Sequence, residues 1–235
     1  TLLAGYTFAK SIDDGSAINP PGSESRQPQT GWCVRCERGL STFDQHHRLV
    51  ASGLYQLPFG SGHQHLSHGL LSQIAGGWQI GSLITISTGL PLMVVDGSNV
   101  GNTNQALDRP DATGISPVLS NRTTNQWFNL QAFQVQAAGT FGNLGRNPPG
   151  VSGPGILAMD SSILKNFNFN ERRYLQFRFE AFNLFNHPIF SMPNPFQDAV
   201  PGGQPPPPPS FGEFNTISST AANNRQLQFA LRLSF

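Results

Sequence analysis

Residues 225–235, at the end of the chain, alternate between apolar and polar side chains. The apolar positions share one parity: Leu227, Phe229, Leu231, Leu233 and Phe235. The other parity carries mostly polar side chains: Gln226, Gln228, Ala230, Arg232 and Ser234. Because successive side chains of a β-strand point to opposite faces, this pattern predicts a strand with one apolar face and one polar face.

The same reasoning predicts six strands, at 2–11, 47–57, 77–90, 156–167, 172–185 and 225–235. The alternation is strong in the third, fifth and sixth segments and weak in the second and fourth. No segment has the periodicity of a convincing amphipathic helix, and 19 Pro and 25 Gly residues punctuate the gaps between strands. The chain is therefore expected to be all-β.

The connections between these strands differ in length. Residues 12–46, 91–155 and 186–224 form long connections, whereas residues 168–171 form a tight turn. Connections in compact domains have a median length of about 4–6 residues, so the long segments are unusual. Outer-membrane β-barrels combine short periplasmic turns with long extracellular loops. We therefore expect the long connections outside the cell, and both the tight turn and the 58–76 connection in the periplasm.

In such a barrel the apolar parity contacts lipid and the polar parity lines a wet interior. The predicted lipid-facing residues are Leu175, Phe177, Phe179, Leu227, Phe229, Leu231 and Leu233. The predicted lumen-facing residues are Gln176, Arg178, Glu180, Gln226, Gln228 and Arg232. The residues expected in a periplasmic aromatic girdle are Phe59, Trp78, Phe167, Phe169, Tyr174 and Phe235, although Tyr174 has the inward parity.

A sheet edge cannot stay open in hydrocarbon, and six strands are fewer than the smallest bacterial single-chain barrels use. The chain also opens inside an alternating pattern without Met, and residues 1–20 lack the features of a signal peptide. Residues 1–235 are therefore expected to be the C-terminal part of a longer barrel protein, whose earlier strands pair with the terminal one.

The amino-acid composition argues against two further classes of protein. Only 11% of the residues are charged, against about 25% in typical soluble domains. The hydrophobic fraction is nevertheless only 37%, and no run of about 18 apolar residues exists, so spanning helices are not expected. The formal net charge of +1, without a basic stripe, argues against nucleic-acid binding.

Several blocks occur in a recognisable order: SIDDGS, FDQHHRLVASGLYQLPFG, GGWQIGSLITISTGLPLMV, WFNLQAF, GTFGNLGRN, DSSILKNF, FRFEAFNLFNHPIF and a terminal SF. This order resembles the C-terminal barrel region of TonB-dependent receptors, in particular the Oar-like, carboxypeptidase-regulatory-like domain-containing branch, over almost the whole chain. The resemblance implies a barrel of about 22 strands with an N-terminal plug. It also implies coupling to the TonB complex, and a terminal Phe235 that marks the protein for the outer-membrane assembly machinery.

Two features depart from the family pattern, namely the pair Cys33 and Cys36 and the insertion QPPPPPS. A CxxC motif near His46 and His47 suggests a metal or redox site. Zinc would require four ligands in a tetrahedral array, and a redox motif favours a βαβ setting that is not predicted here. A local loop disulfide is therefore the preferred interpretation.

Other polar clusters have simple explanations. His63, His65 and His68 could bind a metal, but a polar turn with incidental histidines is favoured. The acidic residues of the loops could supply calcium ligands, but their spacing matches no EF-hand-like motif. These loop acids are Asp13, Asp14, Asp44, Asp96 and Asp108. Lys10 and Lys165 have the lipid-side parity near strand ends, which predicts that their side chains snorkel to the interface.

The predicted function is ligand binding and translocation at the cell surface by part of an outer-membrane TonB-dependent receptor-like barrel. The expected partners are outer-membrane lipid, the remaining strands and plug, the TonB complex, the assembly machinery and an unidentified ligand. No catalytic motif appears, so neither covalent chemistry nor a cofactor is expected. Arg178 and Glu180 could line a transport path, although pairing within the barrel wall is favoured. Two alternatives are a barrel that serves as a surface adhesion anchor without transport and a secreted glycan-binding β-sandwich.

Overall fold

The computed structural model describes residues 1–15, 28–60, 69–96, 100–102, 108–170, 173–197 and 214–235. His63, His65 and His68 and the QPPPPPS insertion lie outside these residues. The strands are β1 (Leu2–Phe8), β2 (Ile12–Asp13), β3 (Gly39–Leu40), β4 (His47–Gln56), β5 (Trp78–Ser87), β6 (Val95–Asp96), β7 (Asp111–Ala112), β8 (Phe133–Gln134), β9 (Ile156–Asn168), β10 (Tyr174–Phe182), β11 (Phe196–Gln197) and β12 (Gln226–Ser234). One α-helix, α1 (Gly69–Ala75), and two 3-10 turns, Val34–Glu37 and Leu130–Ala132, complete the described secondary structure.

Six long strands form one sheet, which we call the main sheet, in the order β1-β4-β5-β9-β10-β12. Each strand pairs antiparallel with the strand beside it in chain order. These strands match the six predicted segments, and the all-β fold class is confirmed. The sheet is open, because β1 and β12 each pair on one side only within the described residues.

The prediction that the chain contains no helix is wrong for one segment. Residues 69–75 form α1, which directly precedes β5. The segment is too short for helical periodicity to be visible in the sequence, and a helix of this length needs tertiary contacts to be stable. Among the described residues, no helix is long and apolar enough to cross a membrane.

Three small two-stranded sheets lie in the long connections. β2 pairs with β3, β7 pairs with β8, and β6 pairs in parallel with β11. The β6–β11 pair joins a segment just after β5 to a segment after β10, so it ties two long connections together. The strands are only two residues long, which explains why no alternating pattern predicted them.

Apart from Ala181 on β10, the buried apolar residues of the described chain lie in these connections rather than on the main sheet. We call the described residues of the connections after β1, β5 and β10 the loop cap. The core cluster of the loop cap consists of Leu92, Val94, Phe128, Ala132, Phe133, Leu144, Val151 and Phe214. Phe128 and Val94 are fully buried, and the Phe133 and Phe214 rings meet edge to face at 6.1 Å between centroids. Burial of this cluster stabilises the loop cap as a packed unit.

A buried ion pair holds the first long connection against the second. The two guanidinium nitrogens Nη1 and Nη2 of Arg109 each donate to one carboxylate oxygen of Glu37, at 2.8 Å. Both side chains are about 95% buried. Gln29 completes the arrangement, since its amide oxygen accepts from Arg109 Nε at 2.6 Å and its backbone N–H donates to Glu37 at 3.0 Å.

Arg146 makes a second link between the same connections. Its Nε donates to the backbone carbonyl of Glu37 at 2.8 Å, and its Nη2 donates to the backbone carbonyl of Asp13 at 2.7 Å. Arg146 also forms an ion pair with the Asp13 carboxylate. The amide of Asn147 donates to the carbonyl of Leu40 at 2.7 Å. The loop cap therefore rests on buried polar contacts between residues far apart in sequence.

The Glu37–Arg109 pair generates a test of loop-cap stability. Arg109→Met should lower the free energy of loop-cap opening by about 3–5 kcal/mol, because Glu37 is left as an unpaired buried charge. Hydrogen exchange of backbone amides in residues 28–46 and 108–146 of the purified full-length protein measures this change. The double variant Glu37→Gln with Arg109→Met should recover part of the loss.

The matched control is Arg178→Met on the main sheet. It removes an ion pair with Glu180 whose arginine side chain is about half exposed, and exposed pairs contribute only about 0–1 kcal/mol. Similar losses in Arg109→Met and Arg178→Met would contradict the role assigned to the buried pair.

Candidate ligand-binding cap and barrel wall

The register of β10 and β12 places the predicted lipid-facing residues on one face of the main sheet. The directly opposed apolar pairs are Leu175 with Leu233, Phe177 with Leu231, Phe179 with Phe229 and Ala181 with Leu227. The rings of Phe179 and Phe229 lie 4.8 Å apart between centroids. We call this side of the main sheet the apolar face. The sequence predicted the two strands separately, and the pairing register joins their apolar residues into one surface.

The predicted lumen-facing residues lie together on the opposite side, which we call the polar face. Gln176 is opposite Arg232, and Glu180 is opposite Gln228. Arg178 Nη2 donates to Glu180 Oε1 at 2.8 Å along the same strand, so these two side chains pair with each other. Gln226 is opposite Phe182, so Phe182 and Tyr174 add two aromatic residues to this face.

Amide groups extend the polar face to the next strand. The Gln176 Nε2 donates to Asn166 Oδ1 on β9 at 3.0 Å. Glutamine, arginine and glutamate side chains supply both donors and acceptors, so this surface can hydrogen-bond a polar ligand or a neighbouring protein segment. Among the described residues, no group of three or more potential ligands could hold a metal ion.

Two serines interrupt the apolar face near the middle of the strands. Ser82 on β5 is directly opposite Ser161 on β9, and their hydroxyl oxygens lie 3.2 Å apart. Ser161 also donates to the carbonyl of Gly81 at 3.0 Å. Mutual hydrogen bonding lowers the cost of placing hydroxyl groups against hydrocarbon. The sequence did not indicate this pair, because neither serine has a distinctive neighbour along the chain.

Lys165 differs from its predicted environment. The expectation was a side chain that snorkels to the interface, but Lys165 is only 1% exposed. Its ammonium group donates to the backbone carbonyl of Gln73 at 2.7 Å and to that of Ile74 in α1. The ammonium also lies 5.0 Å from the centroid of the Trp78 ring. The snorkelling prediction is wrong, because α1 covers the Lys165 side chain. The alternating pattern predicted only the face of the strand on which this side chain lies.

The outer surface of the loop cap carries a tip formed by residues 32–38. Trp32 is 90% exposed, and the next residue, Cys33, forms a disulfide with Cys36. The side chains of Arg35 and Arg38 are exposed, whereas Glu37 between them is buried in its ion pair. The disulfide and Glu37 together fix a short 3-10 turn that presents an aromatic and two basic residues. The CxxC motif beside a tryptophan was the available sequence signal for this tip.

The disulfide also bears on the alternative interpretation of Cys33 and Cys36 as metal ligands. Because the two sulfur atoms are bonded to each other, they are not thiolate ligands for zinc. The nearby histidines have other contacts: His46 Nδ1 lies 2.5 Å from an oxygen of Asp44, and His47 Nδ1 lies 2.8 Å from the hydroxyl of Tyr6. The metal interpretation of this motif is therefore wrong for the structure described.

The loop acids serve structural contacts. Asp13 pairs with Arg146, and Asp44 accepts from the backbone N–H of Ser11 at 2.6 Å. Asp96 and Asp108 are buried and form an isolated β-bridge with each other, and Asp108 accepts from the backbone N–H of Gly101 at 2.7 Å. Asp13, Asp44 and Asp108 therefore each have a protein partner for the carboxylate, whereas Asp14 is exposed.

The residues predicted for the aromatic girdle lie toward one end of the main sheet. Trp78 is opposite Lys165, Phe167 is opposite Leu175, and Tyr174 is opposite Ser234. Phe235 follows directly and is 93% exposed. Its predicted role as an assembly signal stays a prediction.

The two faces of the main sheet generate a test of which side meets lipid. Phe229→Lys should lower the free energy of unfolding of the full-length protein in lipid by about 2–4 kcal/mol, because a charge enters the apolar face. Gln228→Lys, one residue earlier on the polar face, is the matched control and should cost much less. Reversible denaturant unfolding in phospholipid vesicles measures both values. Equal costs would contradict the assignment of the apolar face to lipid.

A family model described as an outer membrane beta barrel domain matches residues 1–228. No curated protein and no solved structure matches the chain. The secreted β-sandwich alternative is wrong, because this family is located in the outer membrane. The match covers most of the chain, and together with the antiparallel main sheet it shows that the chain belongs to the outer membrane beta barrel domain family.

Proposed function

We propose that the protein acts as a TonB-dependent receptor-like barrel, which binds a ligand with its loop cap and moves it along the polar face. The packed loop cap is the observation that carries this proposal. Its core cluster and the buried Glu37–Arg109 pair fix the backbone of long connections. Preorganisation of a surface lowers the entropic cost of binding, and a receptor benefits from a surface of this kind.

The polar face supports a route for a hydrophilic ligand. Arg178, about half exposed, and Glu180 lie beside the glutamines of β10 and β12 on the side opposite the apolar face. In the complete barrel these groups would either meet the ligand or bind the plug. The proposal includes further barrel strands and a plug from the same protein, energy from the TonB complex, and insertion by the assembly machinery.

A second candidate function is a surface anchor that binds partners without transport. The exposed tip at residues 32–38 favours this alternative, because Trp32 and the flanking arginines are residue types that often dominate protein interfaces. The tip and the polar face are separate surfaces, so binding at the tip does not require translocation. Coupling to TonB distinguishes the two functions.

The proposed orientation generates a topology prediction. Ala138, exposed in the loop cap, should face the outside of the cell, whereas Asn168, at the end of β9, should face the periplasm. In a Cys33→Ser, Cys36→Ser background, Ala138→Cys should react with a membrane-impermeant maleimide on intact cells and Asn168→Cys should not. After the outer membrane is permeabilised, both should react. The reverse pattern on intact cells would invert the orientation.

Coupling to TonB is the test of transport. The purified C-terminal domain of TonB should bind the full-length protein in detergent, and unlabelled TonB domain should compete for the same site. The full-length protein with the loop-cap substitution Arg109→Met is the matched control. It should bind TonB equally well, because TonB acts from the periplasm and the loop cap lies at the opposite, extracellular end of the main sheet. If TonB does not bind while the tip still binds a cell-surface partner, the anchor function is supported instead.

A further inference from the structure

The short helix α1 lies against the apolar face at the end where Trp78 and Lys165 are paired. Trp78 Nε1 donates to the carbonyl of Ile74 at 3.0 Å, and the Lys165 ammonium donates to the carbonyls of Gln73 and Ile74. The last carbonyls of a helix lack partners within the helix, and a cation there also interacts favourably with the helix dipole. Two side chains of the main sheet thus hold the C-terminal end of α1.

The register shows on which side of the sheet this contact lies. Trp78 is opposite Lys165, Lys165 is opposite Phe177, and Phe177 is opposite Leu231. The Trp78 and Phe177 rings also meet edge to face, with 6.3 Å between centroids. All four residues belong to one row across the apolar face. The C-terminal end of α1 is therefore held on the apolar face of the main sheet, which we expect to meet lipid.

Exposed apolar side chains surround this contact. Ile74 in α1 is 65% exposed, and Phe167 and Phe169 at the same end of the sheet are 39% and 66% exposed. No residue of α1 carries a charge. Lys165 is covered by the helix and by the Trp78 and Phe167 rings, and the exposed Arg173 lies beside Phe169 in the turn between β9 and β10. Such a surface continues the lipid-facing wall toward the headgroup region, where aromatic residues are favoured.

From these observations we propose that α1 is a membrane-interface anchor, which Lys165 and Trp78 clamp to the barrel wall so that Ile74 enters the periplasmic leaflet. Its partner is phospholipid, at the boundary between headgroups and acyl chains. The periplasmic leaflet follows from the tight turn between β9 and β10, which lies at the same end of the sheet. The proposal requires outer-membrane insertion but not ligand transport, so it stands apart from the proposed receptor function.

The depth of Ile74 in the membrane tests the proposal. In the Cys33→Ser, Cys36→Ser background, an NBD fluorophore attached to Ile74→Cys reports its surroundings in the full-length protein, reconstituted in phosphatidylcholine vesicles. We expect blue-shifted emission, strong quenching by a nitroxide lipid labelled near the headgroup, and weak quenching by aqueous iodide. Ala138→Cys in the loop cap is the control and should show the opposite preference.

The clamp is tested by removing the ammonium group. Lys165→Met should reduce lipid quenching at position 74 and increase iodide quenching, because the end of α1 loses its main contact with the wall. Lys10→Met, which removes an exposed lysine near the other end of the sheet, should leave both signals unchanged. Heat-modifiable migration on electrophoresis verifies that each variant forms a folded barrel.

Two results would overturn the inference. Quenching at position 74 by iodide but not by lipid nitroxide in the Lys165-containing protein would place α1 in the periplasm, where it would be available to a soluble protein instead. Unchanged lipid quenching in a folded Lys165→Met variant would show that Lys165 does not hold the helix. In either case TonB binding would be unaffected, which separates this failure from failure of the receptor function.

Discussion

Backbone hydrogen bonding is the constraint on which the rest of the structure depends. In hydrocarbon an unpaired N–H or C=O group costs several kcal/mol, so strands can cross a membrane only side by side. Within the described part of the chain, β4, β5, β9 and β10 have neighbours on both sides, whereas β1 and β12 have one each. In the membrane these two edges must therefore pair with further strands or with each other. The same requirement favours the simple antiparallel order, because neighbours in the chain can pair without long crossings.

Because the strands lie side by side in a single layer, the chain has two kinds of apolar surface, namely the apolar face of the main sheet and the core cluster of the loop cap. A wall one strand thick cannot bury its apolar face within the protein, so we expect that face of the barrel to contact lipid. The core of the protein must then form elsewhere, and it forms in the loop cap around Phe128 and Val94. A loop cap in water follows the rules of soluble proteins, which is why its apolar cluster is inside and its buried ion pair is completed by Gln29.

The sequence predicted the six long strands well, because each strand has different environments on its two faces. Alternation is the direct consequence, and it is clearest at the end of the chain, where Leu227 to Leu233 share the apolar parity. The loop cap could not be predicted in this way. Glu37 and Arg109 are 72 residues apart and belong to segments without periodicity, so nothing local indicates that they pair. The disulfide of Cys33 and Cys36 was accessible to prediction only because the two cysteines are close in sequence.

Lys165 shows the limit of predicting the environment of a side chain from the alternating pattern of a strand. Alternation gives the direction of a side chain but not what lies in that direction, and a lysine that points toward lipid has two ways to avoid hydrocarbon. It can extend to the interface, or part of the protein can cover it and supply acceptors. The second solution requires backbone carbonyls without partners, and the last turn of a helix provides them. In this chain the end of α1 lies three residues before Trp78, so the helix that satisfies Lys165 also reaches the strand that pairs with it.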